Sequence, residues 1–133
     1  MVEPRASVRF TRRYAAAPAE VWSALTEPDR LARWLGRVRA GRLAAGEQLE
    51  LQLGGTTVPV RVQAVEPERL LELDWRPAGE DASIVRFELA PSGEGTMLVL
   101  DHSRLDERRC MRYGARWTRA VHRLDHLLAG GLA

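Results

Sequence analysis

The chain has 133 residues, 45% hydrophobic and 29% charged, a balance that fits one globular domain and excludes a disordered or fibrous chain. Its 20 basic residues are all arginine and stand against 18 acidic ones, for a net charge of +2. The absence of lysine excludes Schiff-base, P-loop and lysine general-base chemistry, and so small a net charge is no nucleic-acid footprint. The single cysteine, Cys110, excludes an intramolecular disulfide scaffold. Residues 1–10 carry no apolar signal segment, and the longest strongly apolar run, Met97-Leu98-Val99-Leu100, is far too short to span a membrane. These features predict one cytoplasmic domain over residues 1–133.

Val8, Phe10, Arg12 and Tyr14 alternate with Arg9, Thr11 and Arg13, which predicts a first strand with one apolar face. Pro18 opens a helix carrying Val21, Trp22 and Leu25, and Thr26-Glu27-Pro28 breaks it. Pro28 opens a second short helix, closed by Gly36. From Arg37 to Arg104 the period becomes two. Leu49, Leu51 and Leu53 turn through Gly54-Gly55-Thr56 into Val58, Val60 and Val62. Leu71, Leu73 and Trp75 follow, then Val85, Phe87 and Leu89, then Leu98, Leu100 and His102, each set joined to the next by a short turn. A shorter strand fits Val38 to Leu43. One apolar face per strand predicts an antiparallel meander with its other face in water.

Asp106 to Ala129 runs at helical period without proline. At about 100° per residue, Cys110, Tyr113, Val121, Leu124 and Leu128 fall within about 40° of Trp117. Arg108, Arg112, Arg119, Arg123 and His126 lie on the opposite side. This predicts a long amphipathic helix docked on the apolar face of the sheet. Its arginine stripe has no interleaved aromatics and is interrupted by Asp125, so it reads as a solvated face rather than a nucleic-acid or membrane surface.

Ala17-Pro18-Ala19-Glu20-Val21-Trp22, Ala24-Leu25-Thr26, Pro28, Leu31 and Trp34-Leu35 resemble the entry pattern of the SRPBCC (START-like, helix-grip) superfamily. Pro67-Glu68-Arg69-Leu70 with Trp75, then Gly95-Thr96, Leu98, Leu100 and His102-Ser103, resemble the later strands of one branch, named after the activator of heat-shock-protein-90 ATPase. The resemblance runs from about Val8 to Leu128. One departure is that Gly114 precedes Trp117 by three residues, where the branch commonly has the glycine directly before the tryptophan. The resemblance implies an α+β helix-grip fold: a curved antiparallel sheet of six or seven strands around a long C-terminal helix, with two short helices after the first strand. The resemblance implies a counterpart of the domain that follows a separate chaperone-binding domain in the eukaryotic co-chaperone, expected here to stand alone.

The same resemblance implies a cavity between sheet and helix that holds a small hydrophobic or amphipathic molecule. Its lining would be Leu51, Val60, Val62, Leu73, Trp75, Phe87, Leu100, Tyr113, Trp117 and Val121; the bland alternative is that these residues form a solid core. Two polar residues share the apolar phase. Arg12 needs an anionic partner if buried, which an acidic ligand would supply, and His102 would serve as general base or hydrogen-bond donor. For both, the alternative is a strand end reaching water. His122 and His126 have helical metal-ligand spacing, but Arg123 stands where a zinc-protease helix needs glutamate, so no metal and no cofactor is expected. Two other functions remain open: a chaperone-interaction module, expected to show an exposed apolar patch, and a cyclase or dehydratase. The enzyme reading requires His102 with Asp101 or Tyr113 to line a water-accessible cavity.

Overall fold

The period-two segments become seven strands in the computed structural model, which describes residues 5–129. They are β1 (Arg5–Tyr14), β2 (Arg37–Gly41), β3 (Gln48–Leu53), β4 (Thr56–Glu66), β5 (Leu70–Trp75), β6 (Ser83–Ser92) and β7 (Gly95–Asp106). All are antiparallel in one sheet of order β1-β7-β6-β5-β4-β3-β2, so the first strand closes on the last and the edges are β1 and β2. The register shifts at Ala6/Val8, Val38/Ala40 and Val62/Ala64, irregularities of the kind that increase local twist and help a sheet to curl. The alternating apolar side chains of β3 to β7, from Leu49, Leu51, Val58, Val60 and Val62 to Leu71, Leu73, Trp75, Val85, Phe87, Leu89, Leu98 and Leu100, point to one face and are buried there.

Two helices lie between β1 and β2: α1 (Pro18–Thr26) and α2 (Pro28–Trp34). Each begins with proline at its first position, where the missing N–H costs nothing. Glu27 ends one helix and begins the other, its backbone carbonyl accepting the Leu31 N–H at 2.8 Å. Trp34 is buried, donating its indole N–H to the Ala24 carbonyl at 2.8 Å and presenting an edge to Phe87 at 6.1 Å. Gly36 then brings the chain hard against β3: a Cβ there would collide with Leu53 and the Gln52 carbonyl, so only glycine permits this approach.

The last helix, α3 (Cys110–Leu128), starts later than the periodicity suggests, because Glu107–Arg109 forms a 3₁₀ turn. Asp106, expected in the helix, ends β7 instead and caps that turn by accepting the Arg108 N–H at 3.0 Å. Tyr113, Trp117, Ala120, Val121, Leu124 and Leu128 are buried, while Arg108, Arg112, Arg119 and Arg123 are exposed. Trp117 meets Trp75 and Phe87 at ring-centroid distances of 6.0 and 6.2 Å, which docks α3 on the sheet's apolar face. The result is the expected α+β helix-grip architecture. Among the described residues no helix is long and apolar enough to cross a membrane.

Candidate functional site

His102 is the polar residue at the centre of the buried layer. It is fully buried in mid-β7, opposite Val8 and Val85, and does not reach water at a strand end. The Trp117 indole donates to its Nδ1 at 2.9 Å, and Ser83 Oγ lies 2.7 Å from its Nε2. An indole nitrogen can only donate, so Nδ1 is the acceptor and the neutral ring carries its proton on Nε2. Nε2–H then donates to Ser83. Burial pushes the His102 pKa down to about 3, so the neutral form prevails at ordinary pH.

This arrangement removes the chemistry the enzyme reading needed. Nδ1 is occupied, Nε2 is protonated, and no face of the ring meets solvent. Asp101, next along the strand, points to the opposite face, and its cross-strand neighbours are Arg9 and Arg86. Tyr113 packs edge-on against His102 at 4.6 Å, but its hydroxyl donates to Glu80 at 2.7 Å. Arg109 lies 3.5 Å from the other oxygen of Glu80. Burial first, and then Glu80, push the Tyr113 phenol up to about 12.

Above this layer is a half-open groove of about 220 Å³, bounded by the end of α2, the β3–β4 turn and one flank of α3. Trp75, Tyr113, Trp117 and Ala120 line it together with Leu35, Leu53 and Gly54, and Arg116, Arg119 and Arg123 also border it. Trp75 is almost fully buried, and its indole N–H has no hydrogen-bond partner. An outer lobe of about 430 Å³ continues past Leu35 and Gly54 to Arg33, Gln52 and Arg37, with Arg123 shared by both.

Of the twelve residues named from the sequence, three line this groove: Trp75, Tyr113 and Trp117. Leu51, Val60, Val62, Leu73, Phe87, Leu100 and Val121 pack into the buried core, as the solid-core alternative had it, and His102 belongs to that layer. Arg12 does face inward, yet its side chain is 39% exposed and it lies outside the groove lining. The anion it needs is supplied by the chain, since Arg12 Nε is 3.6 Å from Asp125 Oδ2. Tyr14 donates to the other oxygen of Asp125 at 2.7 Å, so this carboxylate ties β1 to α3. His122 and His126 stack at 4.7 Å on the exposed side, and among the described residues no group of His, Cys, Asp and Glu could hold a metal ion. Cys110 is half-buried, and burial with Glu107 and Asp106 pushes its thiol pKa up, away from nucleophilic reactivity.

Helix phase places Arg119 and Arg123 only on a solvated face and leaves Arg116 out of the candidate site. A signal was present. Arg112, Arg116, Arg119 and Arg123 recur at intervals of four, three and four, which puts them on one flank of the helix, with Arg116 directly above Ala120. Positions on the flank are those that rim a groove beside a docked helix.

Comparison with curated proteins finds no match. Among solved structures, CalU16 from Micromonospora echinospora is 28% identical with a TM-score of 0.81, covering 99% of this chain and 89% of that one. DynU16, described as a putative protein in the dynemicin biosynthetic locus, is 29% identical with a TM-score of 0.85. That match covers 94% of this chain, which spans only 48% of DynU16. The Aha1 dimer from Colwellia psychrerythraea has a TM-score of 0.84, covering 96% of this chain and 99% of that one; at 17% identity it shows the shared fold. The sequence model described as "Activator of Hsp90 ATPase homolog 1-like protein" matches residues 15–129. With the helix-grip sheet, the two bracketing helices and the docked α3 in place, the chain belongs to the activator of Hsp90 ATPase homolog 1-like family of the SRPBCC superfamily.

Proposed function

We propose that this single-domain, cytoplasmic protein binds a small hydrophobic or amphipathic molecule in the groove between the sheet and α3. The observation that carries the reading is the groove's aromatic lining, formed by Trp75, Tyr113 and Trp117, with the Trp75 N–H left unpartnered in an otherwise satisfied layer. Buried polar groups are rarely left without a partner, and a ligand acceptor or a bound water would satisfy this one. The inner lobe is smaller than the roughly 300–1,000 Å³ usual for small-molecule sites. A ligand would therefore insert an apolar end and extend along the outer lobe. The location of a relative's gene in a biosynthetic locus is in keeping with a small-molecule partner.

The chaperone-interaction reading draws less support, because among the described residues Met111 is the one large hydrophobic side chain left exposed. The locked tautomer of His102 gives the cyclase reading no base, and no catalytic residue is proposed. Native mass spectrometry of the protein purified from its own host tests the binding reading. A bound small molecule is expected on the wild type and not on Leu53→Glu, which puts a charge at the half-buried groove wall. The bare mass for both, with folding intact, would overturn the reading.

A further inference from the structure

The groove is rimmed by charge of one sign. Arg116, Arg119 and Arg123 of α3 border the inner lobe, and Arg33 of α2 and Arg37 of β2 join Arg123 around the outer one. Among the described residues neither lobe has an aspartate or glutamate in its lining. Among the described residues none of these five arginines makes an ion pair. Elsewhere Arg12, Arg30, Arg69, Arg76, Arg86 and Arg109 each lie within 4.0 Å of a carboxylate. A guanidinium does not lose its proton, so five gathered at one mouth repel one another until an anion arrives. Arg123 is also held in place, because its Nε donates to the Trp34 carbonyl at the C-terminal end of α2 at 3.0 Å. That bond leaves its outer nitrogens available to a ligand.

Beside this rim lies the aromatic wall of Trp75 and Trp117, whose rings are 6.0 Å apart. The two features make complementary halves of one site: an apolar slot and, at its open end, a cationic clamp. We propose that the groove is selective for an amphipathic anion, a flat apolar body set against Trp75 and Trp117 with its carboxylate or sulfonate held by Arg116, Arg119 and Arg123. This rests on the reading that the groove binds a small molecule, and it adds the charge of that molecule. The acidic head group that the sequence assigned to Arg12 belongs here instead, since Arg12 already has Asp125. Charge-assisted, bidentate contacts to a planar anion are what arginine makes best.

The test compares anilinonaphthalene sulfonate with N-phenylnaphthylamine, which has the same ring pair without the sulfonate. Binding of both to the full chain is followed by fluorescence. The anion is expected to bind about tenfold or more tighter than the neutral probe, the size of a charge-assisted hydrogen bond. That advantage should shrink as salt screens the rim. The double variant R116Q/R119Q removes two guanidiniums that have no ion-pair partner. It should abolish the advantage while the neutral probe keeps its wild-type affinity and the circular dichroism is unchanged. Arg12→Gln should leave both probes unaffected. Equal affinity for the two probes, with no effect of the double variant, would overturn the anion preference and leave the small-molecule groove standing. An equal loss of both probes in R116Q/R119Q would overturn it too, because the arginines would then shape the groove rather than supply its charge. Failure of both probes to bind would overturn the preference together with the groove reading.

Discussion

Replacing Trp117 with alanine is expected to cost about 3–5 kcal/mol of unfolding free energy, the range for truncating a buried aromatic to alanine. The side chain is 3% exposed and touches Trp75, Phe87 and His102, so its removal opens a void in the layer that joins α3 to the sheet. It also removes the donor to His102 Nδ1. Trp117→Phe separates the two contributions. It keeps much of the apolar bulk and loses the N–H, leaving a buried acceptor unpaired at a cost of about 1–3 kcal/mol. Urea unfolding of the three proteins checks the ranking, with alanine lowest and phenylalanine between. A loss under about 1 kcal/mol for the alanine variant would mean that α3 is not docked through this residue.

Acid should destabilise the protein through His102. Its pKa is near 6.5 in the unfolded chain and about 3 in the folded one, because the charged ring has no water around it. Above the unfolded value both states are neutral and the residue contributes no pH dependence. As pH falls below that value the unfolded state takes up a proton that the native state refuses, so stability drops until the folded pKa is reached. The slope in that window is about 1.4 kcal/mol per pH unit. Between pH 8 and about pH 5, above the range of most carboxylates, the wild type should lose about 2 kcal/mol more than His102→Gln. Glutamine does not titrate, and its amide can donate towards Ser83. Chemical denaturation at a series of pH values measures this. Parallel curves for the two proteins would mean that His102 is solvated or already charged in the native state.

The fold was legible because each segment repeats its own period. Alternation placed Leu49–Leu53, Val58–Val62 and Leu71–Trp75 on one face, and all but half-buried Leu53 are buried there. Proline at positions 18 and 28 marked both short helices. The start of α3 was less visible, since Asp106 satisfies strand and cap at once and helical periodicity cannot separate a 3₁₀ turn from a first α-turn. The site was harder still. Phase correctly put His102 and Arg12 on the inner face, but phase is silent about partners. Trp117 reaches His102 across 15 positions and Asp125 lies far from Arg12 in sequence, and both meetings depend on how α3 crosses the sheet. The groove escaped for a related reason: its lining straddles the boundary between buried and exposed. A two-state division of the helix wheel assigned Trp117 to the core and Arg119 to water, when both border the same opening.

A small molecule bound beside Trp75 should register on the indoles that line its site. The chain has four tryptophans, each with one indole N–H resonance in a nitrogen–proton correlation spectrum. Titration with anilinonaphthalene sulfonate is expected to move the Trp75 signal most, as its unpartnered N–H gains an acceptor or a new ring above it, and to move Trp117 with it. Trp22, on α1 and outside both lobes of the groove, should stay in place. Saturable shifts at Trp75 and Trp117, with Trp22 unmoved, are the predicted result. Saturable shifts at Trp22 with Trp75 unmoved, or no indole shift at saturating probe, would place no ligand in this groove.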